Sequence, residues 1–336
     1  MASVTVLIVP RDRYTGVLEC IDALYEHTTQ PFQLIVADLE YPPALIEKVR
    51  ARLDGVPDAE VVSLGLITPM QALARLRDKL TSDVTVWVDN DSQVTPGWLP
   101  PLIETLESGA AVASPLILEK EGVDAGAPLR NHLYTSEIRV VNVEGRDYLI
   151  EDKKYRREVP ERLPRERAEI ETFELHGVAF RTSVLKEIEI PDMVVREHID
   201  ICMQLKARGE RVVAEPRSVV LFDNLGTRMS RSDMRFFFFR WSRELAEKSH
   251  RNFEARWGYP FYSEQSMYNW AFRRKVFLIA RWLGLPIALA NKATGVAKRL
   301  FCKDWDPLQD PTAASQHLYT VLPEHRPLRR SSAGAL

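Results

Sequence analysis

Residues 4–38 read VTVLIVPRDRYTGVLECIDALYEHTTQPFQLIVAD and contain two apolar runs on either side of an amphipathic window. The first run, Val4–Val9, is rich in β-branched residues and predicts a buried strand. The second run, Phe32–Ala37, predicts another strand, which ends at Asp38. Between the runs, apolar residues recur at helical spacing, at Val17, Cys20, Ile21 and Leu24. This order predicts a β-α-β unit.

The alternation of apolar runs and amphipathic windows continues to Ser114. It predicts a short strand at Glu60–Leu64 and a more deeply buried one at Val84–Val88. The sequence TPMQ at residues 68–71 places a hydroxyl at the N-cap, proline at the first helical position and Gln at the third, which predicts a helix reaching Leu80. The whole pattern indicates an α/β fold with a parallel sheet between helices.

The middle of the chain is less regular. Residues 146–171 hold 16 charged residues in 26, eight of each sign, and predict a solvated excursion or mobile loop. Apolar strand character returns at Thr172–Arg181, and Glu197–Arg208 is predicted to be a helix. Two further strands are predicted, at Arg211–Ala214 and Ser218–Phe222.

Long helical windows crowded with aromatic and basic residues follow and predict a helical C-terminal extension. The predicted domains are a catalytic-type α/β domain at 1–225, the helical extension at 226–305 and a flexible tail at 306–336. Residues 271–303 contain eight Lys or Arg and no acidic residue. Arg281 and Pro286 interrupt the apolar stretch, which falls short of the ~20 residues of a spanning helix. The extension is therefore predicted to contact a membrane surface or a second copy of the chain.

Composition limits the class of protein. The 336 residues are 45% apolar and 27% charged, which excludes a disordered, collagen-like or disulfide-scaffold chain. The net charge of −2 does not indicate a nucleic-acid partner. Three distant cysteines and an N-terminal apolar run without a basic region predict a cytoplasmic protein with no secretion signal, peripheral at the inner face of the plasma membrane if the extension binds lipid.

Acidic residues follow two of the predicted strands. Asp38 ends the second strand, and Asp89-Asn90-Asp91 ends the strand at Val84–Val88. Because the carboxyl ends of parallel strands form one edge of a sheet, these carboxylates are expected at the same rim. Two aspartates separated by one residue suit Mn²⁺ or Mg²⁺, although the same spacing is common in solvated turns.

The motif VDNDSQVTPGWL resembles the metal-binding signature of the family 2 glycosyltransferases of GT-A fold. Three further segments match that family in the same order along the chain. They are the first β-α-β at residues 4–38, LHGVAFR at 175–181, and REHIDICMQLKARGERVVAEPRSVV at 196–220. The resemblance covers about residues 4–224. It implies a Rossmann-like GT-A fold, with a mixed, mostly parallel sheet flanked by helices, and a nucleotide-sugar-dependent, inverting glycosyl transfer.

The resemblance implies a role for each candidate residue on the donor side. Asp38 would contact the nucleoside, Asp89 the ribose or metal region, and Asp91 the metal. Pro10 and Arg11, after the first strand, would line the cofactor-binding side. The family often supplies another metal contact after the last of these strands, where Asp223 is the nearest oxygen ligand and a turn-forming Asp-Asn pair is the alternative.

The base position departs from the family pattern. Members usually read Glu-Asp-x-Asp, whereas this chain has Glu197-His198-Ile199-Asp200, with histidine where the catalytic carboxylate is expected. The order of preference for the base is Asp200, then Glu197, then His198. Glu197 and Asp200 share one helix face near its N-terminus, so a capping role is the alternative.

The acceptor, expected to be a saccharide, lipid-linked or other hydroxyl in glycan or polysaccharide synthesis, would contact His176, Gly177 and Trp98. A structural histidine and a packing tryptophan are the alternatives. Two other protein classes remain open at this point. One is an inactive glycosyltransferase-like partner or scaffold, prompted by His198; the other is a sugar-phosphate nucleotidyltransferase, which normally begins with a more glycine-rich loop than residues 10–16.

Overall fold

The structure is a computed structural model that describes residues 2–120, 128–143, 145–222, 230–260, 264–302 and 319–321. The chain forms two compact units. The first comprises residues 1–137, 153–192 and 197–228, and the second comprises residues 138–152, 193–196 and 229–336.

The strands and helices are numbered in chain order. The strands are β1 (Val4–Val9), β2 (Gln33–Asp38), β3 (Ala59–Ser63), β4 (Val84–Asp89), β5 (Ser92–Val94), β6 (Val112–Lys120), β7 (Leu129–Leu133), β8 (Thr135–Val143), β9 (Arg146–Lys154), β10 (Ala168–Glu169), β11 (His176–Arg181), β12 (Val212–Phe222) and β13 (Tyr319–Val321). The helices are α1 (Val17–His27), α2 (Pro43–Leu53), α3 (Pro69–Leu76), α4 (Leu99–Glu107), α5 (Thr182–Glu187), α6 (Glu197–Ala207), α7 (Arg231–Arg240), α8 (Arg243–Trp257), α9 (Glu264–Trp282) and α10 (Ile287–Phe301).

The first unit is built on a ten-stranded mixed sheet in the order β10-β12-β6-β11-β4-β1-β2-β3, with β5 paired to β12 and β7 to β6. Strands β4, β1, β2 and β3 run parallel, as predicted from the alternating pattern. Strand β11 runs antiparallel between β4 and β6. Every residue of β1 and β4 is buried, which explains why their sequences are continuous apolar runs rather than alternating ones.

The predicted β1-α1-β2 unit is confirmed, and α1 buries Val17, Cys20, Ile21 and Leu24. The capping box predicted at Thr68 is also present, because the Thr68 hydroxyl accepts from the Gln71 amide and the Gln71 side chain accepts from the Thr68 amide. The helix ends earlier than predicted, at Leu76. A 3₁₀ turn over Arg77–Lys79 follows, a common way for the last helical turn to tighten.

Two other predictions were wrong. Residues 146–171 were expected to be a loop, yet they contain β9 and β10, and β9 buries Leu149 and Ile150 in the middle of a charged segment. The two strands predicted between Arg211 and Phe222 are one strand, β12, whose register against β6 shifts between Glu215 and Val219. Pro216 lies in that irregular stretch, where a missing amide hydrogen costs no ladder hydrogen bond.

The second unit contains helices α7 to α10 and a three-stranded sheet in the order β13-β8-β9. The phenylalanine run of α7 contributes the buried residues Phe236 and Phe237, and α9 packs against α10. The predicted tail at 306–336 lies outside the described residues except for β13, which pairs antiparallel with β8. Among the helices that the structure describes, none combines the length and the apolarity that crossing a bilayer requires.

Candidate functional site

The Asp89-Asn90-Asp91 segment leaves the carboxyl end of β4 and is buried. The Asp89 carboxylate accepts a hydrogen bond from the Trp87 indole at 2.7 Å and faces Arg11 Nη1 at 3.3 Å. Asp91 is buried two residues later. The segment is therefore held as part of the core edge and is not a solvated turn.

Asn90 ties this segment to the loop after β1. Its side-chain oxygen accepts from the Arg11 amide at 3.3 Å, and its side-chain nitrogen donates to the carbonyls of Arg13 and Tyr14 at 2.8 and 3.2 Å. Gly16 follows with φ of 103°, and a Cβ built there would lie 3.1 Å from the Asn90 carbonyl oxygen. Position 16 requires glycine because the Cβ of any other residue would crowd the backbone of the acidic segment.

His176 is the first residue of β11, opposite Val88 of β4. Its Nδ1 lies 3.0 Å from the Ser92 hydroxyl and 3.3 Å from Asp89 Oδ2. One ligand atom from each of Asp89, Asp91 and His176 lies within 4.8 Å of the others, and all three residues are buried. Burial, together with the positive charge of Arg11, lowers the pKa of His176 well below its ordinary value. The ring is thus neutral, the form in which imidazole binds a metal.

This group of three has the composition of a divalent cation site. Two carboxylates and a neutral imidazole are ligands that Mn²⁺ accepts, and the carboxylates alone suit Mg²⁺. His176, which the sequence placed on the acceptor side, lies against the acidic segment. Asp223, which was considered for the additional metal contact, lies outside the described residues.

Arg11 links the acidic segment to the predicted base segment. Besides Asp89, its guanidinium lies 3.6 Å from Glu174 and 3.5 Å from Glu197. Burial acts to lower the pKa of Arg11, but the three carboxylates more than offset it and raise this pKa above its ordinary value. The arginine is therefore a permanent positive charge between the two halves of the site.

Glu174 is a site residue that sequence reasoning missed. Its carboxylate accepts from Lys153 Nζ at 2.7 Å, and His198 Nε2 lies 4.0 Å away. Burial acts to raise the pKa of Glu174, but Lys153 and Arg11 hold it well below its ordinary value. The available signal was its position in the chain, two residues before His176, in a segment that otherwise appeared to be an apolar strand.

The three candidate bases at the start of α6 are all buried but differ in their contacts. Asp200 is fully buried and accepts from the Gln204 side chain at 2.7 Å. Glu197 is in the ion pair with Arg11. Neither ring nitrogen of His198 has a hydrogen-bond partner within the described part of the chain. His198 is therefore a candidate base whose two ring nitrogens are not engaged by hydrogen bonds.

Asp38 ends β2, separated from β4 by β1. Two strand spacings place Asp38 and Asp89 about 10 Å apart on one edge of the sheet. The Asp38 carboxylate accepts from the Tyr41 amide at 2.8 Å and from the Ser63 hydroxyl at 2.7 Å. Pro10, directly after β1, is buried. The strand order thus supports the expectation that Asp38 shares a rim with the acidic segment.

The other two predicted acceptor residues have structural contacts. Gly177 has φ of 84°, and a Cβ there would lie 2.8 Å from Val220 Cγ2. The space beside Gly177 is therefore occupied by the Val220 side chain of β12. Trp98 is fully buried, and its indole nitrogen donates to the Thr28 hydroxyl at 2.9 Å. Both arrangements are those of packing residues, the alternative that the sequence left open for Trp98.

Comparison with known proteins gives a family match and structural neighbours. The sequence model of a family described as "Glycosyl transferase family 2" matches residues 5–188. No curated protein matches the chain in sequence. A solved structure of GalNAc-T7 with UDP, GalNAc and Mn²⁺ matches with a TM-score of 0.53 and 13% identity. The match covers 94% of this chain and 57% of that chain, so this chain spans little more than half the length of its neighbour.

A second neighbour is the mannosyltransferase PcManGT from Pyrobaculum calidifontis in complex with GDP-Man and Mn²⁺. It matches with a TM-score of 0.42 and 14% identity, over 89% of this chain and 81% of that chain. The likeness to GalNAc-T7 agrees with the mixed sheet flanked by helices and with a helical C-terminal region. The predicted GT-A fold is confirmed.

Proposed function

Because this chain belongs to glycosyl transferase family 2, we propose that it moves a sugar from a nucleotide-diphospho-sugar donor to an acceptor hydroxyl, with inversion at the anomeric carbon. The observation that carries the proposal is the buried group of Asp89, Asp91 and His176 at the carboxyl edge of the sheet. Ligands bind at this edge in open α/β sheets.

Asp89, Asp91 and His176 would hold Mn²⁺ or Mg²⁺. When bound, the cation neutralises charge that develops on the departing nucleoside diphosphate. Asp38, on the same edge and oriented by Tyr41 and Ser63, would accept hydrogen bonds from the nucleoside. Pro10 and Arg11 lie between these two regions along β1 and the loop after it.

The contacts of the base segment favour a different order from the sequence. Asp200 came first in the sequence argument, but it is fully buried and hydrogen-bonded to Gln204. Glu197 is paired with Arg11. In the proposed reaction, His198 accepts the proton of the acceptor hydroxyl, whose oxygen attacks the anomeric carbon opposite the departing diphosphate. Glu174, 4.0 Å from His198, stabilises the imidazolium that results.

The acceptor is proposed to be a saccharide or a lipid-linked hydroxyl. The proposed compartment is the cytoplasm, because Cys20, Cys202 and Cys302 are free thiols.

Donor binding is tested by thermal shift with UDP, GDP, dTDP and CMP, each with and without Mn²⁺. One nucleotide is expected to raise the melting temperature only when Mn²⁺ is present, and Asp91→Ala is expected to abolish the rise. A ligand at a hundred times its Kd adds about 2.7 kcal/mol of stability. Asp54→Ala removes an exposed carboxylate on the distant α2 cap and is the matched control.

The base is tested separately from donor binding. His198→Gln is expected to lower kcat about 10²- to 10⁴-fold, the usual contribution of general base catalysis, while the nucleotide-dependent thermal shift is retained. A nucleotide shift without any sugar transfer by the wild-type protein would favour the inactive glycosyltransferase-like partner, the alternative that His198 in place of a carboxylate prompts. No shift with any nucleotide would refute the donor site itself.

A further inference from the structure

Large apolar side chains are exposed chiefly on α9, on α10 and in the turn between them. They are Trp270, Phe272, Ile279, Trp282, Leu283, Leu289, Val296, Leu300 and Phe301. Leu300 and Phe301 are 68% and 71% exposed. Elsewhere in the described residues, large apolar side chains of comparable exposure are limited to Tyr25, Tyr155 and Phe238. Contiguous exposure of this kind indicates an interaction surface.

Some of these side chains, together with the half-buried Val276, form a stripe on each helix. Phe272, Val276, Ile279 and Leu283 follow the spacing i, i+4, i+7 and i+11 along α9 and into the turn after it, which places them within an arc of about 60°. On α10, Leu289, Val296 and Leu300 follow the spacing i, i+7 and i+11, within an arc of about 40°. Each helix therefore presents one apolar line that the other helix does not cover.

Two exposed aromatic rings bring α9 and α10 into contact at one end of the helix pair. The rings of Phe272 and Phe301 meet edge to face with centroids 5.9 Å apart, and both side chains are exposed. At the other end, the chain turns from α9 into α10 through residues 283–286. The pair thus offers an exposed apolar strip that consists of the two lines and these two rings.

Basic residues border this strip. Residues 271–303 hold eight Lys or Arg and no acid. Lys292 and Arg299 are exposed and lie about 60–80° around α10 from its apolar line. Neither of these two has an ion pair with a described residue. Long basic side chains beside an apolar line can reach lipid phosphates while the line enters the acyl boundary.

We propose that α9 and α10 dock on a bilayer surface that contains anionic lipid, through the apolar stripes flanked by Lys292 and Arg299. A second copy of the chain is a poorer occupant, because two such basic faces would repel each other. Docking in the plane of the interface also fits helices that are too short or too polar to span. This inference does not depend on sugar transfer.

The test is co-sedimentation of the full chain with vesicles of phosphatidylcholine mixed with phosphatidylglycerol, against vesicles of phosphatidylcholine alone. Binding is expected with the anionic vesicles at low salt and is expected to weaken as salt rises. Tryptophan fluorescence gives a second readout. The emission of the exposed Trp282 is expected to shift to the blue on docking, and Trp282→Phe is expected to reduce this shift.

Two variants separate the charge from the apolar contribution. Lys292→Ala with Arg299→Ala is expected to lower the partition coefficient about 25-fold, since each basic residue contributes about a factor of five at an anionic surface. Lys48→Ala with Arg50→Ala makes the same charge change on the exposed face of α2 and is expected to leave binding unchanged.

Leu300→Asp is expected to lower the partition coefficient at least about tenfold, while Tyr25→Asp, at an exposed aromatic residue of α1, leaves it unchanged. Circular dichroism checks that both variants fold. A wild-type chain that stays in the supernatant with anionic vesicles at low salt overturns the proposal. So does a wild-type dimer by light scattering that Leu300→Asp converts to monomer without any vesicle binding, because the surface then joins two copies.

Discussion

Replacing Arg11 by methionine tests whether this residue holds the site together. Its guanidinium lies 3.3, 3.6 and 3.5 Å from the carboxylates of Asp89, Glu174 and Glu197, and all three carboxylates are buried. Methionine fills similar volume but leaves these negative charges without their common partner. We expect Arg11→Met to fold with a large loss of stability.

The size of the loss follows from burial. Removing one partner of a buried ion pair costs about 3–5 kcal/mol, since an uncompensated charge is left behind. For a unit of this size, about 2–4 °C of melting temperature corresponds to each kcal/mol, so the expected drop is about 6–20 °C. Arg52 faces Asp22 at 3.1 Å with both side chains about half exposed, and such a pair contributes about 0–1 kcal/mol.

The assay is urea unfolding of wild type, Arg11→Met and Arg52→Met at neutral pH and fixed salt, followed by far-UV circular dichroism. Arg11→Lys is a further control that keeps the charge but loses the planar fork, so it is expected to fall between wild type and Arg11→Met. If Arg11→Met lost no more free energy of unfolding than Arg52→Met, the three carboxylates would not depend on Arg11, and our reasoning on the site's electrostatics would be refuted.

Three other outcomes are expected. His176→Ala removes a neutral ligand beside Asp89, and isothermal titration is expected to show at least about tenfold weaker Mn²⁺ binding. Gly177→Ala combines φ of 84° with a 2.8 Å approach to Val220 and is expected to lower the free energy of unfolding by about 1–3 kcal/mol, more than Gly209→Ala, where φ is 70° and no atom lies within 4 Å. Glu174 has a lowered pKa, so its carboxylate adds stability above its unfolded pKa of about 4.3, and this is lost as pH falls through the lower folded value. The stability difference between wild type and Glu174→Gln is therefore expected to shrink from pH 7 toward strongly acidic pH.

Each of these predictions has a contrary result. Unchanged Mn²⁺ affinity in His176→Ala would limit any cation site to the two aspartates. Equal losses for Gly177→Ala and Gly209→Ala would mean that Val220 yields to the added methyl group. A stability difference for Glu174→Gln that is constant with pH would contradict a carboxylate held ionised by Lys153 and Arg11.

The fold was predictable where neighbours in sequence are neighbours in space. The β1-α1-β2 unit and the Thr68 capping box depend on local spacing, and both are present. Strand β9 was missed because its two buried residues, Leu149 and Ile150, stand in a segment where charge dominates the average. The break predicted in β12 was wrong because the strand absorbs Pro216 in an irregular stretch and continues.

The site was predictable in its acidic residues but not in its electrostatic links. Asp38, Asp89 and Asp91 follow apolar runs, so their placement at one edge follows from parallel pairing. Glu174 and Lys153 belong to the site because they form an ion pair between segments that are separated in sequence. The hydrophobic periodicity of the sequence does not predict such contacts, because they depend on how the strands are ordered and oriented in the sheet.

The direction of β11 has a consequence for how this protein can vary. Because β11 runs opposite to β4, the chain reaches the functional edge as it enters the strand, and leaves from the far edge at Arg181. Insertions in residues 170–175 would therefore displace the chain at the functional edge, where the buried Glu174 faces Arg11. Insertions after α5, which follows Arg181, begin from the far edge of the sheet. Changes at the approach to β11 therefore act on the functional edge of the sheet, and changes at its exit act on the opposite edge.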